Sequence, residues 1–360
     1  MSRTKKLRLE DTFQIFTVVE LKELCRTVGI RGISSKKKAD LIRVLIQSLM
    51  DVSTFCEFCF YATPKEIKAF ERGFSHPLIE EEEYEDYLYW LQTGYCFMEE
   101  NGRILIMEEV KDLYQRLGDE FWEKRNRFYQ ILQYIYAAIH LYGVVTLQKL
   151  VELFNQWNEQ KTSVMEIRNV FRQLEERPEL MEFDIQDDLI MDEILLDVDQ
   201  GYYVYEAVYE QQGDLPYYIP GKDEFLKYAD EDYFEKTKEY ECLLDYLVQV
   251  YGIPKIIAED ICADSLHSIR LGYLVEDIVE DFIERGIEMD KFHRDDLMIL
   301  VLQLMNHTRS IFYRGATPKE IGAAIEYSHL KKHSRKFVYQ DNYANRTEAG
   351  KVISFPGNFR

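Results

Sequence analysis

Three consecutive lysines, Lys36, Lys37 and Lys38, stand where a helix is expected to begin, and their chemistry is that of an anion site. Beside the positive pole of a helix each cation is unfavourable by roughly 0.3 to 1 kcal/mol when exposed at low salt. A phosphate docked on the free backbone N–H groups reverses that sign, because amide and ammonium donors then share its oxygens. Arg31 and Arg43 flank the cluster, and Lys5, Lys6 and Arg8 precede it. These eight residues are the candidate contacts to DNA or RNA.

Other reactive residue types do not converge. Cys56 and Cys59 form a CxxC pair, but a structural zinc would need two more ligands, for which His76 and Cys96 are the nearest candidates at irregular spacing. Next to Phe55, Phe58 and Phe60 the two thiols read instead as a buried helix face. His329 and His333 have the i, i+4 spacing of a chelate, yet Lys331, Lys332, Arg335 and Lys336 around them repel a cation. No P-loop, dinucleotide-binding glycine motif, HExxH or GxSxG occurs, and the carboxylates fall in runs that read as solvated faces. The expectation is a protein that is not an enzyme, with no cofactor, no metal and no evident small-molecule substrate.

The lysines must be positioned by two helices. Thr17-Val18-Val19-Glu20 has the form of a capping box, and Val18, Leu21, Leu24, Cys25 and Val28 recur at helical spacing up to Gly29, a left-handed cap. An extended loop, residues 30–33, follows. Ser34 or Ser35 can cap a second helix that buries Ile42, Leu45, Ile46 and Leu49.

The run Val19-Glu20-Leu21-Lys22-Glu23-Leu24-Cys25, then Gly29-Ile30, then Ser35-Lys36-Lys37-Lys38-Ala39-Asp40-Leu41-Ile42 resembles the SAP and Rho N-terminal family of helix–extended loop–helix modules. The resemblance covers about the first fifty residues and rests on hydrophobic spacing plus a basic turn. It implies contact with DNA or RNA, although related modules also dock proteins.

Charge is segregated along the chain. The formal net charge is -21, but residues 1–50 hold eleven Lys or Arg against five acids, a local +6, and residues 329–360 hold seven against two, a local +5. The stretch between them therefore carries -32, which disfavours a polyanion and suits protein partners.

At 360 residues the chain exceeds one ordinary core. The expected fold class is mainly α: a module at 1–50, winged-helix-like units with small hairpins at 51–125 and 126–215, a helical domain at 216–328 and a basic tail at 329–360. In the first unit Glu80-Glu81-Glu82-Glu83 is expected to open a helix running to Leu91, before a hairpin turning at Asn101-Gly102. In the second, helices through Tyr142, from Leu147 to Asn158 and from Val164 to Arg177 precede a wing turning at Gln186-Asp187-Asp188. Its third helix carries Arg168, Asn169, Arg172 and Arg177, and Glu166, Glu175 and Glu176 argue against a groove contact. Helices are then expected near 223–250, 254–266, 271–285 and 294–312, with Tyr240, Tyr246 and Tyr251 in their core.

Ala-Thr-Pro-Lys-Glu-Ile occurs at 62–67 and again at 316–321, and both copies read as capped helix starts. Residues 216–225 (Pro-Tyr-Tyr-Ile-Pro-Gly-Lys-Asp-Glu-Phe), Asn306-His307-Thr308-Arg309 and Gly315-Ala316-Thr317-Pro318 resemble uncharacterised bacterial proteins that join a Rho N-terminal-like module to a helical region and a SEC-C zinc motif. No cysteine follows Cys262, so that zinc motif is not carried here. Residues 128–148 lack Asp, Glu, Lys and Arg, but Gln130, Gln133, His140 and Gly143 make them a buried helix rather than a membrane span. Six scattered cysteines and a start without a signal peptide point to a reducing, cytoplasmic location. The functional expectation is a nucleic-acid-associated accessory or regulatory protein, with a protein-interaction scaffold as the alternative.

Overall fold

Capping chemistry sets where the first helices begin. The computed structural model describes residues 8–322, apart from 81, 82, 100, 197, 200, 201, 289 and 290. The chain is mainly helical with small antiparallel sheets, and it divides into two compact units, Met1–Gln130 and Ile131–Arg360. Lys5, Lys6, the 329–360 segment and the His329, His333 pair lie outside the described residues. Among the described residues no single helix is long and apolar enough to cross a membrane.

The first unit runs through α1 (Leu9–Phe13), α2 (Val18–Thr27), α3 (Lys38–Leu49), α4 (Val52–Tyr61), α5 (Pro64–Gly73) and α6 (Glu85–Thr93). The hairpin β1 (Phe97–Met98) and β2 (Ile104–Leu105) follows, then α7 (Glu108–Tyr114) and α8 (Asp119–Tyr142), within which the division falls. Both expected capping boxes at its helix starts form: Thr17 with Glu20, and Thr63 with Glu66 ahead of Pro64. The hairpin closes through Gly102, whose φ of 76° requires the left-handed region, and its N–H donates to the Glu99 carbonyl at 3.0 Å. Of the acidic run, Glu80 and Glu83 precede α6 instead of opening it, because Glu83 turns back to pair with Arg72 and to accept the Glu80 N–H.

The first fifty residues do not build a core of their own. One continuous apolar cluster joins Leu9, Phe13, Leu21, Leu45 and Leu49 to Phe55, Phe70, Trp90 and Tyr114. The three helices α1 to α3 share this cluster with α4 to α7, so packed side chains lie on both sides of the boundary expected at 50/51. The rings of Phe13 and Phe97 meet edge to face at 5.6 Å, and Tyr95 donates to the Leu49 carbonyl at 3.2 Å. Val18, expected in the core, is instead 39% exposed.

At the end of α4 a buried guanidinium closes the helix. Arg125 donates from Nε to the Cys59 carbonyl at 2.9 Å and from Nη2 to the Ala62 carbonyl, and it stacks 4.5 Å from the Tyr129 ring centre. It is only 4% exposed.

In the second unit, β3 (Val144–Thr146), α9 (Leu147–Trp157), α10 (Val164–Gln173), β4 (Phe183–Gln186) and β5 (Leu189–Asp192) come first. The sheet order is β3-β5-β4, antiparallel throughout, with Val145 opposite Ile190 and Ile185 opposite Ile190 on the other side. The small pair β6 (Val198–Asp199) and β7 (Tyr202–Tyr203) leads into α11 (Val204–Gln212). The remainder is α12 (Lys222–Lys227), α13 (Lys238–Tyr251), α14 (Lys255–Arg270), α15 (Val275–Glu284) and α16 (Lys291–His307). The expected helix at 223–250 is thus two helices parted by a 228–237 segment, and Tyr240, Tyr246 and Tyr251 do pack in the α13–α16 core.

Close approaches join the two halves of this unit. Gly272, at φ 85°, lies against the Phe312 ring so tightly that an added Cβ would sit 2.6 Å from it. Buried Gln212 donates to the carbonyls of Tyr142 at 2.7 Å and Ile311 at 2.8 Å. The second Ala-Thr-Pro-Lys-Glu-Ile copy departs from expectation: Thr317 and Glu320 exchange the capping-box bonds, but the backbone makes a single turn that ends at Gly322 with φ 72°.

Two outcomes follow. Arg125→Leu strands buried carbonyls and is expected to destabilise the chain by about 2 to 5 kcal/mol in chemical unfolding. His140, with Nδ1 against the Tyr228 carbonyl at 2.9 Å, is pushed down to about 4 from 6.5, chiefly by burial and then by Arg270. A lowered imidazole means the unfolded chain takes up a proton that the folded chain refuses, so this contribution is intact above pH 6.5 and is lost as pH falls towards 4. His140→Gln should flatten that part of a Tm-against-pH curve, and an unchanged slope would refute the assignment.

Candidate nucleic-acid interface

The loop between α2 and α3 is shaped by two glycines and tied by two lysines. Gly29 and Gly32 have φ of 72° and 70°, which lets the chain reverse after α2 and extend to Ile33. Lys22 Nζ donates to the Ser34 carbonyl at 2.6 Å, and Lys38 Nζ donates to the Gln14 carbonyl at 2.7 Å. Lys38 is therefore a positioning group as well as a charge. Nothing in hydrophobic spacing signals this, since the acceptor is a backbone carbonyl 24 residues away.

The start of α3 differs from the expected one. Neither Ser34 nor Ser35 caps the helix; they lie in a turn, the N-cap is Lys37 at φ -78° and ψ 162°, and Lys38 is the first helical residue. Lys37 has no side-chain acceptor to offer, so no side chain caps the helix. The first helical bond runs from the Leu41 N–H to the Lys37 carbonyl at 3.0 Å, leaving the N–H groups of Lys38, Ala39 and Asp40 ahead of it. The triplet thus flanks an open helix end instead of filling its first turn.

The electrostatics around that end are uneven. Among the described residues no carboxylate lies within ion-pair distance of the ammonium groups of Lys36, Lys37 or Lys38. Asp40 is the one acid of the first turn, and Arg43 holds its carboxylate at 2.8 Å, so Arg43 neutralises a local anion before it can serve a ligand. Arg31 is exposed on the loop. Arg8 is also exposed, but its backbone carbonyl accepts from Thr12 at the start of α1. The structure places Arg31, Lys36, Lys37, Lys38 and Arg43 on the loop and first turns of one module; Arg8 precedes α1, and Lys5 and Lys6 are outside the described residues.

The other candidate sites can be placed as well. Cys59 is buried in α4 and Cys56 is half-buried, and desolvation raises both thiols, Cys59 strongly. Cys25, Cys96 and Cys262 are likewise buried and raised, while Cys242 is exposed. Among the described residues no group of three or more His, Cys, Asp or Glu side chains is arranged to hold a metal ion. On α10, Arg168 reaches the Asp187 carbonyl and lies 3.4 Å from Asp188, at the turn between β4 and β5. Arg177 falls beyond α10 and pairs with Glu179 at 2.9 Å.

Lys37→Ser supplies the missing cap and is expected to stabilise the chain by about 1 kcal/mol in urea unfolding, while lowering its affinity for polyanions at low salt. A destabilised Lys37→Ser chain would show that this helix end is not open. No family model, no curated protein and no solved structure matches the chain.

Proposed function

We propose that the chain is a nucleic-acid-associated accessory or regulatory protein, in which the basic amino-terminal module contacts the phosphate backbone of DNA or RNA and the acidic helical remainder recruits proteins. The observation that carries this reading is the uncapped amino end of α3 beside the ammonium groups of Lys36 and Lys37, which have no carboxylate within ion-pair distance among the described residues, while Lys38 is acted on through space by Glu20. Backbone donors, a helix dipole and the Lys36 and Lys37 cations act there in the same direction. The resemblance of these residues to the SAP and Rho N-terminal modules points the same way.

Residues 126–215 read as a winged-helix-like unit, supported by the order α8, β3, α9, α10, β4, β5 and the β3-β5-β4 sheet. Its α10 suits protein more than a DNA groove, because Arg168 is occupied by the turn between the last two strands. A protein-interaction scaffold without nucleic acid is the second reading. It is favoured by Ile15 and Val19, which are 79% and 72% exposed on the same module.

The test is a titration of the full chain with duplex DNA and with RNA at several salt concentrations. About three to five phosphate contacts predict a log-log salt slope near -3 to -4.5 on duplex DNA. Lys36→Glu combined with Lys37→Glu leaves the Lys38 bond to Gln14 in place and is expected to abolish binding. If the double variant binds as the parent does, the nucleic-acid reading is wrong and the scaffold reading stands.

A further inference from the structure

Several elements of the second unit bring charge to one place. His140 lies near the carboxyl end of α8, Glu182 stands immediately before β4, Asp192 ends β5, Arg270 ends α14, and Tyr228 and Glu231 belong to the segment between α12 and α13. His140 and Asp192 are buried, at 5% and 8% exposure. Asp192 accepts from Arg270 Nη2 at 3.3 Å and from the Ile194 N–H at 3.2 Å, while Glu182 Oε2 lies 3.7 Å from His140 Nε2. Facing Glu182 are Glu231, Asp192 and Glu193; facing His140 are Arg270 and Asp230; and around Arg270 stand Asp192, Glu231 and Tyr228. Near neutral pH the imidazole is uncharged, so Arg270 is the one cation named here against several carboxylates. A bound proton relieves that excess of negative charge.

The hydrogen bonds place that proton. The Tyr228 carbonyl can only accept, so His140 Nδ1, 2.9 Å away, carries the ring N–H, and the neutral ring turns a lone pair at Nε2 towards Glu182. An ionised Glu182 sets carboxylate against lone pair, whereas a protonated one points its O–H at an acceptor. The Glu182 side chain is 39% exposed and has room to turn and close the 3.7 Å. Burial, then Glu231, Asp192 and Glu193, pushes Glu182 up to about 7, and burial pushes Asp192 up to about 6 against the pull of Arg270.

We infer that the second unit carries a proton-operated latch, in which the Glu182 carboxyl donates to His140 Nε2 and ties the entry of β4 to α8. When the proton leaves to water, Glu182 becomes one more charged carboxylate beside Asp192 and Glu231, the Nε2 lone pair repels it, and the tie opens. Glu182 holds its proton more tightly in the folded chain than in the unfolded one. Its contribution is therefore whole below pH 4.5 and is lost as pH rises through about 7. The His140 contribution runs in the opposite direction, so the latch is read from the difference between variant and parent.

The experiment measures Tm and infrared spectra of the full chain across pH. Glu182→Gln, whose amide N–H donates at every pH, should gain on the parent by a few degrees of Tm between about pH 5 and about pH 8, the interval in which the parent gives up its proton. A difference that does not change with pH, as a merely structural contact would give, overturns the latch. In the parent, a protonated-carboxyl C=O band that moves on isotopic labelling of the glutamate carboxyl carbons should titrate away in a separate step near about 7, above the ordinary glutamates at 4.5. The absence of that step, or a step untouched by the label, also overturns it, and this second measurement decides the matter should Glu182→Gln fail to fold.

Discussion

Buried and half-buried guanidinium groups are the fixed points on which the two units are built. A charge removed from water must be met by carbonyls, carboxylates or ring faces, or the fold loses several kcal/mol. Arg125 meets the open carbonyls at the end of α4. Arg314 reaches the carbonyls of Leu215 and Gly213, each at 2.6 Å, and lies over the Tyr217 ring at 4.6 Å. Arg309 lies 3.5 Å from the Tyr218 ring centre while binding two carboxylates. In each case a cation far along the sequence ends or clamps a segment that local capping leaves open. Tyr217 and Tyr218 are accordingly held less by extended-chain preference than by Arg314 and Arg309.

How much of this was legible follows from the range of the forces. The capping boxes of Thr17 and Thr63, the Gly29 cap, the hairpin at Asn101-Gly102 and the apolar stripe of α13 are local, and spacing alone places them. What was not legible is set at long range. Helix α3 begins three or four residues beyond either expected serine cap because Lys22 and Lys38 fasten the preceding loop to distant carbonyls. The 228–237 segment interrupts an otherwise helical run where Tyr228, Tyr233 and Glu235 find partners: Tyr228 donates to Glu235 at 2.9 Å, and Tyr233 donates to Glu224. For the interface, the residue types were readable and the open helix end was foreshadowed by them. That Arg43 is spent on Asp40 and Lys38 on Gln14 was not, since both are answers to geometry.

Charge segregation gives these pieces a common sense. A chain at -21 overall can approach a polyanion only through a part whose own field is positive, and the amino-terminal helices are such a part. Because they share a core with α4 to α7, ligand contact at the loop would be mechanically continuous with the rest of the first unit. An uncapped helix start is costly to the folded chain by itself, and stabilising substitutions there would trade against binding.

The burial of the cysteines has a practical outcome. Only Cys242, on α13, is exposed, while the other thiols are buried or half-buried and shifted away from the reactive thiolate form. A maleimide dye added to the native chain would therefore attach at one defined spot on the second unit. That gives a fluorescent reporter beside the α13–α16 core with no engineering of the sequence.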